Sequence, residues 1–124
     1  HGERLDELPL DGSGVIHDVS PGGVERRTVV ATDVGLAAAD TEAIGGGTGE
    51  ENAALIVRIL EGAERGPDRD VVALNAGAAL FMAGRADDLR DGVELAVTTI
   101  ESGAAHEQLE RLRASAAEVA GTAD

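Results

Sequence analysis

An α/β fold, in which an edge β-hairpin leans on a cluster of four helices, follows from three features of the sequence. Two β-branched runs flank a Pro-Gly-Gly turn near the N-terminus, and apolar residues recur at helical spacing from Glu50 onward. Of the 124 residues, 43% are hydrophobic, enough for a core and too many for a disordered acidic tail, which lacks the apolar surface to offset chain entropy. The length suits a single domain. Within it, residues 1–44 read as a β-rich, turn-rich segment and residues 45–124 as a helical one.

The first β run is Val15-Ile16-His17-Asp18-Val19 and the second is Val24-Glu25-Arg26-Arg27-Thr28-Val29-Val30, with Ser20-Pro21-Gly22-Gly23 between them. This spacing predicts an antiparallel hairpin. Period two places Val24, Arg26, Thr28 and Val30 on one face, and Glu25, Arg27 and Val29 on the other. Both faces are mixed, which suits a strand pair at a sheet edge. Two strands alone are marginal in water, so the segment is expected to complete a larger sheet whose other strands come from elsewhere.

In the first helix, Ala53, Ile56, Leu60 and Ala63, joined by Leu55 and Ile59, form one stripe that ends near Gly66-Pro67. Asp70 to Ala83 is apolar nearly all round and crowded with Ala and Gly, which predicts a helix buried on several sides with close backbone approach. Gly84 is a natural C-terminal stop. Asp87 or Asp88 can start a third helix, along which Leu89, Val93, Val97 and Ile100 recur, and Ser102-Gly103 ends it. A last amphipathic helix carries Leu109, Leu112, Ala116 and Val119 before a fraying tail.

Charge excludes more than it assigns. Asp and Glu number 24 against 10 cations, all arginine, for a net charge of −14. Phosphate-backbone binding rests on clustered cations, so no nucleic-acid partner is expected; one aromatic residue, Phe81, offers no stacking platform. No cysteine is present, which excludes thiolate chemistry and cysteine metal sites and suits a cytoplasmic setting. No apolar run reaches the length of a membrane span. Self-repulsion of this size destabilises a compact state in dilute buffer, whereas molar salt shortens the Debye length to about 3 Å, so a halophilic source is the preferred reading. The sequence opens on His1 rather than Met, as expected of the interior of a longer reading frame or a processed end.

Three segments could carry chemistry. The first, His1 to Gly12, contains Asp6-Glu7. At a strand end both carboxylates can converge on one hard cation, and Mg2+ favours one or two carboxylates with waters and substrate phosphates completing its shell. On composition alone, in a chain with 24 acids, the same pair reads as solvated surface. The second is the glycine-rich Ile44 to Asn52. It lacks the ending of a P-loop and the spacing of a dinucleotide fingerprint, and Glu50 and Glu51 would repel phosphate, so Thr48 or Gly49 reads as a helix N-cap. The third is Asn75, a lone amide on a buried helix, read as satisfying a neighbouring loop backbone. His1, His17 and His106 lie far apart and show no metal-ligand spacing. No nucleophile with a nearby base is evident, and no catalytic residue is assigned.

Taken in order, these segments resemble the anthranilate phosphoribosyltransferase family. His1-Gly2 through Leu5-Asp6-Glu7-Leu8 is similar to its Gly-x-Asp-Glu-type segment. Gly46-Gly47 with Glu51-Asn52-Ala53, then Arg65-Gly66-Pro67 with Arg69-Asp70, follow in family order. Leu74-Asn75-Ala76, Ala83-Gly84-Arg85, Gly92 to Ala96 and Ile100 to Ala105 continue it. Thr48-Gly49 departs from the family, which often has Ala there. The resemblance covers nearly the whole chain but only about the last third of such an enzyme. It implies the C-terminal part of a phosphoribosyltransferase/nucleoside phosphorylase-like α/β domain. The implied reaction is Mg2+-dependent transfer of phosphoribosyl from phosphoribosyl pyrophosphate to anthranilate in tryptophan biosynthesis, by a homodimer. The resemblance also implies that Asp6 and Glu7 are Mg2+ ligands, that the substrate-binding residues lie upstream, and that the isolated chain is inactive. A same-fold phosphorylase and a non-catalytic acidic interaction module are the rival readings; the Asp6-Glu7 pair argues against the first, and a magnesium titration of wild type against Asp6→Asn separates the second.

Overall fold

A computed structural model describes residues 5–121, with the side chain of Ala120 omitted. His1 to Arg4, the opening of the first candidate segment, and the last three tail residues lie outside that range. The predicted hairpin is present as β1 (Gly14–Ser20) and β2 (Gly23–Val29). They pair antiparallel with Gly14 opposite Val29 and Ser20 opposite Gly23, so Pro21-Gly22 forms the two-residue loop. The Ser20 hydroxyl accepts the Gly22 N–H at 3.2 Å and steadies that loop. Only the base of the hairpin enters the core. Val29 is buried there, on the face that carries Glu25 and Arg27, whereas Val19 and Val24 at the tip are exposed. Arg27 bonds Asp18 and Glu25 across that face, at 3.4 and 3.3 Å.

Two 3-10 turns follow, Ala31–Val34 and Thr41–Ile44, then helices α1 (Gly49–Leu60), α2 (Pro67–Met82), α3 (Leu89–Glu101) and α4 (Ala104–Gly121). Thr48 closes a capping box at the start of α1, and Asp88 caps α3 by accepting the Asp91 N–H at 2.9 Å. Pro67 occupies the first turn of α2, where its missing N–H has no helical partner to lose.

The boundaries differ from expectation in two places. Helix α1 ends at Leu60 rather than near Gly66-Pro67. Gly62 turns the chain there with φ +72°, and a Cβ on it would meet the Ile100 carbonyl oxygen at 3.2 Å. A tertiary contact, which the periodicity of α1 does not contain, ends the helix. Helix α2 begins three residues before Asp70, at Pro67. It is also less enclosed than its composition suggested: Asp70, Ala73, Leu74 and Gly77 are buried, while Val72, Ala79 and Met82 are exposed.

Helices α2 and α3 are the central pair. Gly77 lies against α3 so tightly that a Cβ would stand 2.6 Å from the Val93 nitrogen, and Gly92 meets the Gly77 carbonyl oxygen. The predicted close approach is therefore real, and it needs a glycine on each helix. Leu74, fully buried, joins Leu8, Leu10, Val29, Ala31, Val34, Leu36 and Val93 in the main core cluster. Ala73, Ala96 and Ile100 form a second cluster on the other side of the helix pair. The core is thus shared between two helices and the irregular chain at 8–10 and 29–36. The apolar stripes of α1 and α4 stand largely open, with Ile56 52% exposed, Leu112 64% and Val119 72%.

Candidate functional site

Asp6 and Glu7 sit in a bend just before the first buried residue, Leu8. Both are exposed, and neither makes an ion pair or hydrogen bond with the described residues. Leu8, Pro9 and Leu10 then plunge into the core, with Leu8 only 4% and Leu10 2% exposed. The sequence explains the arrangement: two acids that stay hydrated precede an apolar triplet that does not. The pair is held at the surface end of a well-anchored segment.

The anchor has a second component. The Asn75 Oδ1 accepts the Leu8 N–H at 2.8 Å, and its Nδ2 donates to the Leu8 carbonyl and the Val71 carbonyl, both at 3.0 Å. The lone amide on α2 thus satisfies loop backbone, as its sequence context suggested. Glu7 and Asn75 line one groove of about 480 Å3 together with Asn52, Asp68, Ile56 and Val72. Its floor is mostly aliphatic, and its carboxylates, Glu7 and Asp68, bias it toward cations.

The glycine-rich segment ahead of α1 is occupied by its own helix. The Gly47 N–H donates to Asn52 Oδ1 at 2.7 Å, and the Thr48 N–H donates to Glu51 Oε2 at 2.8 Å. Asn52 returns a bond from its Nδ2 to the Gly47 carbonyl at 3.2 Å. Amides that would cradle a phosphate already serve these acceptors, so Thr48 is the cap and the segment is a helix entry. The Thr48 backbone bond, followed by its hydroxyl bond, holds the Glu51 carboxyl below the ordinary glutamate value of 4.5. Sequence reasoning missed Asn52; an amide five residues after a glycine is too common a pattern to single out.

The remaining polar features are structural. Arg65 and Arg69 both reach Glu101 at the end of α3, the latter at 3.6 Å, and Arg69 also stands 2.6 Å from the buried Asp70. These pairs fasten the turn before α2 to α3. His106 lies between Glu61 and Glu110, at 3.6 and 3.8 Å, and His17 is exposed on β1. Among the described residues no three His, Cys, Asp or Glu side chains gather as a metal cage. Asp6 and Glu7 supply two adjacent exposed carboxylates and no third donor gathers with them among the described residues. That pair fits a hard divalent ion whose remaining positions are filled by water or phosphate oxygens, and it does not fit a tetrahedral zinc site.

Comparison with known proteins bears on what such a piece belongs to. The glycosyl transferase family, a/b domain, matches residues 1–106. An anthranilate phosphoribosyltransferase of Anaeromyxobacter dehalogenans is 46% identical over 115 residues, which are 93% of this chain and 34% of the relative. One from Haloquadratum walsbyi is 43% identical over 112 residues, 90% of this chain and 33% of the relative. The crystal structure of anthranilate phosphoribosyltransferase from Thermus thermophilus superimposes with a TM-score of 0.82 at 45% identity, covering 90% of this chain and 32% of that one. The chain thus spans about one third of the length of the relatives that it matches. By fold, by sequence and by the extent of the family match, this chain belongs to the glycosyl transferase family, in its a/b domain.

Proposed function

We propose that this chain forms the metal-binding third of an anthranilate phosphoribosyltransferase, acting on phosphoribosyl pyrophosphate and anthranilate. The observation that carries the reading is the 46% identity to a protein of that name across 93% of the chain. In this reading residues 1–124 are one part of a larger α/β domain, and residues outside them complete the binding of both substrates. Such an enzyme would be cytoplasmic and homodimeric. The net charge of −14 supports a halophilic source, since concentrated salt screens that repulsion.

Asp6 and Glu7 would hold Mg2+. When bound, the ion supplies Lewis-acid stabilisation of the charge that builds on departing pyrophosphate. The chain's own contribution is geometric and electrostatic. The burial of Leu8 and Leu10 fixes the segment, and two exposed carboxylates with no partner among the described residues would be left to face the ion. Neither carboxylate moves a proton in this scheme.

The isolated chain, given both substrates and Mg2+, is expected to show no turnover, because one metal site cannot orient two substrates. Grafted in place of the matching third of the Anaeromyxobacter dehalogenans relative, it is expected to restore formation of the phosphoribosylated amine. A folded graft without turnover would overturn the reading. Loss of salt-dependent stability in the chain would separately remove the halophilic part of it.

A further inference from the structure

We propose that Asn75 is a positioning residue that sets the direction of the Asp6–Glu7 pair, an inference that rests on the metal-binding reading of that pair. The two backbone groups it engages both belong to Leu8, the residue that follows Glu7. The N–H it accepts, at 2.8 Å, is part of the Glu7–Leu8 peptide, and the carbonyl it donates to, at 3.0 Å, is part of the Leu8–Pro9 peptide. Because a peptide unit is planar, fixing that N–H fixes the plane in which the Glu7 carbonyl carbon lies. Fixing the next carbonyl as well removes rotation about Leu8. Pro9 continues the constraint with its locked φ.

Burial of Leu8 and Leu10 cannot do this alone. Hydrophobic contact is non-directional, so it holds the segment down without orienting the peptide that leads back to the carboxylates. Neither Asp6 nor Glu7 has a protein partner of its own among the described residues. Among the described residues, the directional bonds closest to them in the chain are those from Asn75.

Asn75 is itself well determined. Its third bond, from Nδ2 to the Val71 carbonyl one helical turn earlier, locks its rotamer, and its neighbour Leu74 is fully buried in the main core. The bonding pattern also fixes the amide orientation, since the Leu8 N–H demands the oxygen and two carbonyls demand the nitrogen. Although Asn75 lines the same groove as Glu7, its oxygen and both N–H groups are already engaged. In the proposal it acts through Leu8, to which its oxygen and one of its N–H groups are bonded, rather than as a ligand of the ion. The arrangement resembles in principle the outer partners that orient metal ligands, whose loss costs about 10- to 100-fold in metal affinity.

The test uses the 124-residue chain and Mn2+ alone, titrated by electron paramagnetic resonance, with Leu8 amide exchange followed in the same samples. Asp6→Asn reports on the metal reading. Asn75→Leu removes all three bonds at similar volume, and Asn75→Ser serves if the leucine variant does not fold. Ile100→Ala weakens the second core cluster without touching Leu8 and controls for lost stability. The proposal expects Asp6→Asn to weaken Mn2+ binding, and Asn75→Leu to weaken it by about tenfold with faster Leu8 exchange. Ile100→Ala should match wild type in both. Wild-type Mn2+ affinity in a folded Asn75 variant, with Asp6→Asn impaired, overturns the role of Asn75 and leaves the metal reading standing. Wild-type affinity in Asp6→Asn overturns the metal reading and the proposal with it. Equal weakening in Ile100→Ala shows that Asn75 contributes stability only, and also overturns the proposal.

Discussion

The interface between α2 and α3 and the bend at Asp6-Glu7 lie at opposite extremes of the same chain. At the interface two glycines bring helix backbones into contact, and Leu74 has no exposed surface. At the bend two carboxylates stand in solvent with no described partner. The first region has its affinity for neighbours fully used; the second has its charge unspent. Stability and candidate chemistry are therefore carried by different segments, which meet at the consecutive residues Leu74 and Asn75 on α2. One side chain is buried in the core, while the next reaches out to the loop.

Substitutions should break that contrast unequally. Leu74→Ala is expected to have the largest effect, about 3 kcal/mol of unfolding free energy, read from the urea midpoint. Gly77→Ala comes next at about 2 kcal/mol, because its Cβ would stand 2.6 Å from the Val93 nitrogen and force the helices apart. Asp88→Ala, which removes the α3 cap bond at 2.9 Å, should cost about 1 kcal/mol.

The smallest effect sharpens the comparison at the surface. The folded state lowers the Glu51 pKa from the ordinary 4.5, chiefly through the Thr48 backbone bond. A depressed carboxyl pKa stabilises the fold above the unfolded value, and that contribution is lost as pH falls through the lower folded value. Acid unfolding below pH 4.5 should thus include a small step that Glu51→Gln removes, measurable by circular dichroism against pH. An unchanged acid profile in Glu51→Gln would remove the capping box from the account.

Much of the fold was legible because local chemistry specified it. The Pro-Gly turn, the caps at Thr48 and Asp88, and the small residues around Gly77 on α2 each act through near neighbours or a recognisable spacing. What was not legible depended on distant partners. Gly62 ends α1 because Ile100 and Glu101 lie beside it, and nothing in the α1 pattern encodes them. The stripes of α1 and α4 show that each helix has an apolar face but not what covers it, and Ile56, Leu112 and Val119 stand exposed. The burial of Val29 rather than the tip valines is settled by Leu8, Leu10 and Leu36 closing over the hairpin base. The candidate site was legible only in part. Composition alone assigns Asp6 and Glu7 to the surface, where they are; their proposed role came from motif order. The Asn75 tether spans 67 residues, a distance at which one sequence offers no pairing signal.

The graft of this chain into the Anaeromyxobacter dehalogenans relative, assayed against Mg2+ with and without Asp6→Asn, tests the central claim most directly. Turnover that depends on Mg2+ and falls by at least about 100-fold in Asp6→Asn, with an unchanged melting temperature, is the result predicted for a carboxylate that holds the ion at the developing charge. Full turnover in a folded Asp6→Asn graft would contradict it.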